Sequence, residues 1–252
     1  MPTININCDM GESYGHFKVG NDDAIFPYID SSNIACGFHG GDPLHIEMTI
    51  KKAIAHNVQI GAHPGYPDLA GFGRRKMQLP AHELKAILKY QIAALKGMTE
   101  SLGGQLAYVK PHGALYNTAS NSREETAVII EAIHSIDPQL SLMGLAGSVM
   151  ETMAKEQEIP FIAEAFADRR YTADGQLQSR QIEGSVIYDP QQSAQQVLSI
   201  IQEQQVTSAS NTIVPIIAQS VCIHGDNPQA VAILKAIREV IGETRFSYKN
   251  IG

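Results

Sequence analysis

Hydrophobic and polar positions along this chain of 252 residues follow two repeating patterns. Short apolar runs, typical of buried strands, are each followed by a stretch with apolar residues every three or four positions, typical of amphipathic helices. The run Ile34–Cys36, for example, precedes a helical pattern over Pro43–His56 in which Ile46 and Ile50 share one face. Asp42 suits the N-terminal cap of that helix. This β-α order recurs along the chain and predicts a parallel sheet.

Counting the elements narrows the fold class. The predicted strands are Thr3–Cys8, Ile34–Cys36, Val58–Ala62, Leu106–Lys110, Leu140–Gly144, Pro160–Ala163 and Val221–Ile223. The predicted helices are Asp22–Tyr28, Pro43–His56, Pro80–Leu102, Arg123–His134, Val149–Glu156, a glutamine-rich helix from Pro190, and Pro228–Ile241. The length is close to the roughly 250 residues of a single α/β barrel. We therefore expect one domain over residues 1–252, an α/β fold of the TIM type. Its seven parallel strands would close into a β/α barrel with the first and last strands side by side.

Composition excludes several classes of partner. The formal net charge is −7 and no basic stripe occurs, which argues against a nucleic-acid partner. No apolar run is long enough to span a bilayer, and the first residues lack the basic and apolar parts of a signal peptide. We therefore expect a cytoplasmic protein without membrane contact. Cys8, Cys36 and Cys222 are predicted as reduced, buried thiols that cluster inside the closed barrel.

Histidines beside glycine or proline follow four of the predicted strands, at His39, His63, His112 and His224. Because the carboxyl ends of parallel strands meet at one end of a barrel, these side chains should converge there. Ionisable residues from the other strand ends and loops should join them. The ionisable residues predicted at this mouth are Asp9, Glu12, His39, His63, Lys110, His112, Glu164, Asp168, Arg169, His224 and Asp226.

Carboxylates beside histidines serve general acid–base catalysis or hold a divalent metal. Asp9, His39 and His63 come from neighbouring strand ends and are the candidate metal ligands. The chain has no Walker-type phosphate loop, no strand-linked GxGxxG, no GxSxG elbow and no HExxH. A nucleotide that binds here would therefore not use a standard phosphate loop.

Cationic side chains near the same mouth could neutralise phosphate or carboxylate oxygens. The candidates are Lys110, Arg74, Arg75 and Arg169. Pro111 biases Lys110 toward an extended backbone, so Lys110 and His112 should point the same way, toward the reacting centre. The alternative is that Lys110 only ties strand ends together through an ion pair.

Long motifs in these regions resemble the LamB/YcsF family nearly from end to end. The motifs are Asn7–Ser13, Asn33–Asp42, Gly61–Asp68, Gly71–Arg75, Val109–Asn117, Glu164–Tyr171 and His224–Asp226. The resemblance implies a seven-stranded β/α barrel similar to the polysaccharide deacetylase group. It also implies the A subunit of an ATP-dependent 5-oxoprolinase, which opens 5-oxo-L-proline to L-glutamate with subunits B and C (PxpB and PxpC). ATP with Mg²⁺ would be required. On this resemblance, Arg74, Arg75, Asn117 and Asp226 are the candidate substrate-binding residues.

Two other functions stay open at this point. One is a metal-dependent amide or acetyl hydrolase of the polysaccharide deacetylase type, which would not need ATP. The other is a non-catalytic subunit that binds a small acid, and a homo-oligomer is possible in each case. Because no nucleotide loop is recognisable, we expect little turnover from the isolated chain.

Overall fold

The computed structural model describes residues 4–242. Its strands are β1 (Asn5–Met10), β2 (Ser31–Ala35), β3 (Gln59–His63), β4 (Leu106–Val109), β5 (Ser141–Leu145), β6 (Phe161–Phe166), β7 (Gln205–Thr207), β8 (Ile213–Pro215) and β9 (Ser220–Ile223). Its helices are α1 (Asp22–Ile25), α2 (Pro43–Ala55), α3 (Ala81–Ser101), α4 (Gly113–Ala119), α5 (Arg123–Ile136), α6 (Val149–Glu156), α7 (Pro190–Glu203) and α8 (Ala230–Ile241). Short 3₁₀ helices cover Phe26–Tyr28 and Leu69–Gly71.

Seven of the strands close into a parallel barrel in the order β1-β2-β3-β4-β5-β6-β9. The last strand, β9, pairs with β1 on one side and with β6 on the other. Ser220 of β9 lies opposite both Asn5 and Glu164. The predicted seven-stranded β/α barrel, with its first and last strands side by side, is therefore confirmed.

Three local features differ from the sequence prediction. The first strand continues to Met10, and Thr3, predicted to begin it, lies outside the described residues. An additional helix, α4, begins after the three residues that follow the fourth strand, at Gly113, which takes a positive φ of 54°. The short strands β7 and β8 form a separate antiparallel pair. Their few apolar positions are too short a pattern to predict a strand.

The main hydrophobic core lies between the barrel and its helices. In β1, Ile6 and Cys8 face this core, so the alternating Asn7 and Asp9 face the barrel interior. Helix α2 packs Ile50 against the same core. The helix begins where predicted, with the Asp42 carboxylate accepting the backbone N–H groups of its first turn. Within residues 4–242, no helix combines the length and apolar composition that a bilayer crossing requires.

The barrel interior is largely polar. Asn7 Nδ2 donates to Ser220 Oγ at 2.8 Å, and Asn33 Nδ2 donates to Asn7 Oδ1 at 2.7 Å. Tyr108 donates its hydroxyl to Asn33 Oδ1 at 2.7 Å, and its ring fills the space beside Gly61. A Cβ at Gly61 would lie 2.1 Å from that ring. These hydrogen bonds hold the polar side chains of the barrel interior in fixed positions below the charged side chains at the barrel mouth.

The cysteine prediction is half correct. All three thiols are buried, but they do not all face the barrel interior. In the β1–β9 pairing Cys222 lies opposite Asn7 and shares its interior face, whereas Cys8 lies opposite Ile223. Since successive residues of a strand point to opposite faces, Cys8 faces the helices. Cys36 lies one residue beyond β2 rather than within it.

Candidate active site

A cavity of about 510 Å³ opens at the carboxyl ends of the barrel strands. The predicted site residues that line this mouth cavity are Asp9, His63, Arg74, Lys110, His112, Asn117, Arg169 and His224. They come from the ends of β1 and β3 and from segments that follow β3, β4, β6 and β9. Convergence of the strand ends therefore places the acids, histidines and cations of the sequence motifs around one space.

Lys110 is a buried cation of this site, with 2% of its side chain exposed. Its Nζ lies 2.8 Å from Glu164 Oε1, 3.1 Å from Asp9 Oδ1 and 3.1 Å from Cys222 Sγ. Burial by itself would lower the pKa of Lys110, but the anionic side chains around it, Asp9 first, hold that pKa well above its usual value. Lys110 is thus a permanent ammonium at the base of the mouth cavity.

Asp9 is its ionised partner. Burial would raise the pKa of Asp9, but His63 and Lys110 outweigh burial and hold the pKa well below its usual value. The other Asp9 oxygen, Oδ2, lies 3.4 Å from His63 Nε2. Asn33 Nδ2 donates to Asp9 Oδ1 at 2.8 Å. The carboxylate is therefore held in place from the barrel floor while it faces the cavity.

Glu164, the second acid in contact with Lys110, is fully buried. Tyr116 of α4 donates its hydroxyl to Glu164 Oε2 at 2.9 Å. Burial and the Glu164 charge raise the pKa of Tyr116 well above its usual value, so this hydroxyl remains a donor. The Lys110 ammonium also lies 5.4 Å from the centre of the Phe166 ring. Glu164 thus acts on the cavity through Lys110.

Three buried imidazoles and one carboxyl group form what we call the histidine cluster: His39, His63, His112 and Glu12. The His39 and His112 rings stack with centroids 3.6 Å apart, and His63 meets both edge-on. Burial lowers the pKa of His39 and His112 well below the usual value, with neighbouring histidines adding to the effect. Burial, followed by the charge of Asp9, raises the pKa of Glu12.

The metal ligands predicted from sequence are not grouped as expected. His39 and His63 lie with Glu12 and His112, and one ligand atom of each falls within 4.8 Å of the others. Asp9 is grouped instead with Cys222 and His224. Asp9 still approaches the histidine cluster through His63, but its other oxygen binds the Lys110 ammonium.

A second acid–histidine pair, His224 with Asp168, lies at the mouth cavity, which His224 lines. His224 Nδ1 donates to Asp168 Oδ1 at 2.8 Å, because a carboxylate oxygen has no proton to give. Asp168 also accepts the His224 backbone N–H and Asn227 Nδ2, each at 3.2 Å. Burial would raise the pKa of Asp168, but His224 outweighs it and the pKa is lowered. The His224 ring is therefore fixed, and it stacks on Phe166.

Arginines also line the mouth cavity. Arg169 is 4% exposed, and its Nη2 donates to the Gln178 carbonyl at 2.5 Å. Its buried Nε has no hydrogen-bond partner among residues 4–242. Burial and the nearby Arg180 lower the pKa of Arg169 to about 10. Arg74 and Arg180 line the same cavity. Three guanidinium groups around one space favour an anionic ligand.

The remaining predicted residues lie outside the cavity lining. Arg75 is exposed, and its guanidinium binds Asp68. Asp226 accepts Arg74 Nη2 at 2.5 Å and so positions an arginine of the cavity. The predicted site residues that do not line the cavity are Glu12, His39, Arg75, Glu164, Asp168 and Asp226.

Sequence reasoning missed Tyr116, Arg180 and Cys222 as neighbours of the site. Tyr116 lies one helical turn after His112 and could have been found if α4 had been predicted. Arg180 lies in a loop without a periodic pattern, so no local signal marks it. Cys222 was expected to be buried, but its contact with Lys110 depends on the closed barrel.

Comparison with known proteins identifies the family. The sequence profile described as the LamB/YcsF family matches residues 4–252. The chain belongs to the LamB/YcsF family. Among its relatives, a protein named as the A subunit of 5-oxoprolinase from Acinetobacter baylyi is 49% identical over 238 residues, covering 94% of each chain. The protein of the same name from Bacillus cereus strain AH187 is also 49% identical with the same coverage.

Solved structures agree with this family assignment. The crystal structure of a "Lactam Utilization Protein" from Thermus thermophilus superposes with a TM-score of 0.89 at 42% sequence identity. The match covers 96% of this chain and 98% of that one. The barrel described above is therefore shared with a lactam utilisation protein whose structure was determined experimentally.

Proposed function

We propose that the chain is the A subunit of an ATP-dependent 5-oxoprolinase, which opens 5-oxo-L-proline to L-glutamate together with subunits B and C. The observation that carries the proposal is the mouth cavity, which is lined by the buried Lys110 ammonium, by His224 of the acid–histidine pair and by three arginines. Such a space suits a small anion with a reactive amide. The relatives, which are named as A subunits of 5-oxoprolinase, support the same substrate.

The substrate carries a carboxylate beside its five-membered lactam. Arg169 and Arg180 are the candidates to bind that carboxylate, because a guanidinium offers paired N–H donors to two oxygens. The volume of about 510 Å³ lies within the range of pockets that hold drug-sized ligands, which leaves room beside so small a molecule. The phosphates of a second substrate could then reach Arg74.

Hydrolysis of a lactam is slow because the amide is stabilised by resonance. ATP, with its Mg²⁺, would phosphorylate the amide oxygen, which makes the amide carbon a better electrophile. Water would then add to that carbon, the C–N bond would break, and a second water would hydrolyse the resulting acyl phosphate to L-glutamate and phosphate. The residues of this chain would then provide a base for water, an acid for the departing nitrogen and cations for the developing charge.

His224 is the candidate base. Its Nδ1 donates to Asp168, so a neutral ring leaves Nε2 as the nitrogen that can take a proton from water. Once protonated, the same Nε2 can return that proton to the departing nitrogen. Lys110 keeps its proton, so its ammonium can stabilise negative charge on the substrate oxygen. Asp9, held ionised beside it, balances the charge of that ammonium.

A second function has one observation in its favour. The histidine cluster contains the nitrogen and oxygen donors of a metal-dependent hydrolase, as in an amide or acetyl hydrolase. The two functions differ in their need for ATP, so removing the nucleotide separates them.

Reconstitution with subunits B and C tests the proposal. We expect glutamate and phosphate in equal amounts from 5-oxoproline and ATP, none without ATP, and little from the isolated chain. Arg169→Met should raise KM for 5-oxoproline by at least about tenfold, because a carboxylate loses a charged partner. Arg123→Met, an exposed arginine paired with Glu156, is the matched control and should behave as wild type.

Three outcomes would contradict the proposal. Turnover without ATP would favour the metal-dependent hydrolase. Absence of any 5-oxoproline turnover in the complete complex would reject the substrate. Unchanged turnover after His63→Ala and His224→Ala in that complex would favour a subunit that only binds a small acid.

A further inference from the structure

Two histidines of the histidine cluster meet through nitrogens that both lack a proton when the rings are neutral. His63 Nδ1 lies 2.7 Å from the Lys110 carbonyl oxygen, and His112 Nε2 lies 2.8 Å from the Phe72 carbonyl oxygen. A carbonyl can only accept, so each imidazole carries its hydrogen on that outer nitrogen. The inner nitrogens, His63 Nε2 and His112 Nδ1, are left as lone pairs only 2.9 Å apart.

The other two members add unsatisfied polar atoms to the same point. Glu12 Oε1 lies 3.3 Å from His39 Nε2 and 3.6 Å from His112 Nδ1. Glu12 Oε1 and both ring nitrogens of His39 have no well-aligned hydrogen-bond partner within the described residues. The His39 side chain is 0% exposed and that of Glu12 is 4% exposed. Buried polar atoms without hydrogen-bond partners lower the stability of the folded state. A cation bound between these atoms would satisfy them.

We infer that Glu12, His39, His63 and His112 bind a divalent transition metal ion of the zinc class. Three imidazole nitrogens and one carboxylate oxygen form a donor set that suits zinc and its neighbours better than magnesium or calcium. Backbone carbonyls that fix the outer nitrogens are a common second layer around metal-bound histidines. The inference concerns ion binding alone and does not rest on the proposed function.

A shared proton is the competing explanation. One proton between His63 and His112 would relieve the contact of their lone pairs. It would leave Glu12 Oε1 and the His39 nitrogens as they are, without partners among the residues that the structure describes. A metal ion satisfies all four groups at once, which is why the geometry favours it.

The second group of candidate ligands is a weaker metal site. Asp9, Cys222 and His224 also bring one ligand atom each within 4.8 Å of one another. There, however, the Lys110 ammonium already lies 3.1 Å from both Asp9 Oδ1 and Cys222 Sγ. A resident cation in contact with two of the three groups disfavours a metal ion by charge repulsion.

The experiment uses the full chain, treated with a chelator and then titrated with Zn²⁺ or Mg²⁺ alone. Equilibrium dialysis with elemental analysis should give one zinc per chain and no comparable magnesium uptake. Zinc at a hundredfold excess over its Kd should raise Tm by about 5 °C or more. Absence of zinc binding, or magnesium binding as tight as zinc, would overturn the inference.

Three variants locate the site. Glu12→Gln keeps the shape of the side chain, and His39→Ala removes a ligand, so each should weaken zinc binding at least about tenfold. His82→Ala, an exposed histidine on α3, is the matched control and should bind zinc as wild type does. Circular dichroism verifies that each variant is folded. Wild-type affinity in both Glu12→Gln and His39→Ala would overturn the inference and leave the shared proton as the explanation.

Discussion

The Lys110 ammonium lies 2.8 Å from the Glu164 carboxylate inside the barrel, with side-chain exposures of 2% and 0%. Because neither charge can be solvated by bulk water, each depends on the other. The pair joins the segment after β4 to β6, two strands that are not neighbours in the barrel. Lys110 therefore ties distant strands together and also faces the mouth cavity.

Removing one charge of this pair should lower the stability of the folded chain. We expect Lys110→Met to lower the free energy of unfolding by about 3–5 kcal/mol, because Asp9 and Glu164 lose their buried counter-ion. Adding Glu164→Gln to Lys110→Met should recover part of that loss. Urea unfolding of the two single variants and the double variant measures the coupling. Lys85→Met, an exposed lysine paired with Glu131, is the control and should cost less than about 1 kcal/mol. Strict additivity of the two substitutions would contradict the pairing.

The His224–Asp168 contact predicts a catalytic effect rather than a binding effect. In the assembled complex, Asp168→Asn should lower kcat by about a hundredfold or more while KM changes little, because His224 loses the carboxylate that orients it. Steady-state kinetics with varied 5-oxoproline measures both constants. Asp174→Asn, an exposed acid in the nearby loop, should leave both unchanged. A change confined to KM would assign Asp168 to substrate binding instead.

The cap of α2 predicts a pH dependence of stability. The Gly15 backbone N–H, followed by contacts with His45, lowers the pKa of Asp42 to about 2. Because this pKa lies below the value of about 3.9 for an unfolded aspartate, the charged form stabilises the fold. That contribution is complete above pH of about 4 and is lost as pH falls through about 2.

Variants at this cap separate charge from hydrogen bonding. At neutral pH, Asp42→Ala should lower the free energy of unfolding by about 1 kcal/mol, and Asp42→Asn should cost less because it keeps an acceptor. The difference between wild type and Asp42→Asn should shrink as pH falls from about 4 to about 2. Denaturant unfolding at several pH values measures it. A difference that grows at low pH would show that the carboxylate does not stabilise the cap.

The reactivity of the three cysteine thiols tests whether the barrel is closed. Cys8, Cys36 and Cys222 are free thiols and all are buried. We expect slow alkylation of the native chain and fast alkylation of all three in denaturant, followed by mass spectrometry. Cys36 is 8% exposed and the others are 0% exposed, so Cys36 should react first. Rapid native labelling of all three would contradict a closed barrel.

Much of the fold could be predicted because the local strand and helix patterns agree with the closed barrel that they form. Apolar runs followed by glycine and histidine mark the strand ends, and their number matches a closed barrel. The direction of side chains was harder to predict. Ile4 and Ile6 alternate with Asn5 and Asn7 in a way that equally fits a sheet with a solvent face. Only closure of the barrel turns those asparagines inward.

The convergence of ionisable side chains at the strand ends was predictable from the sequence, but the contacts between individual side chains were not. Arg74 and Arg75 are adjacent and look equivalent in sequence, yet Arg74 lines the cavity and Arg75 binds Asp68. Asp9 and Glu12 are both acids near the end of β1, but Lys110 binds only the first. Which of two similar residues makes a given contact depends on distances between strands, and no local sequence pattern encodes those distances.

The position of β9 has a consequence for how the chain reaches this structure. The six barrel strands made before it leave β1 and β6 as sheet edges with unpaired backbone groups, and β9 fills the gap between them. Pairing of Asn5 with Ser220 joins segments at opposite ends of the described chain. Because this contact is non-local, it forms slowly during folding. A nascent chain that has emerged only through β6 therefore exposes two edges that invite aggregation.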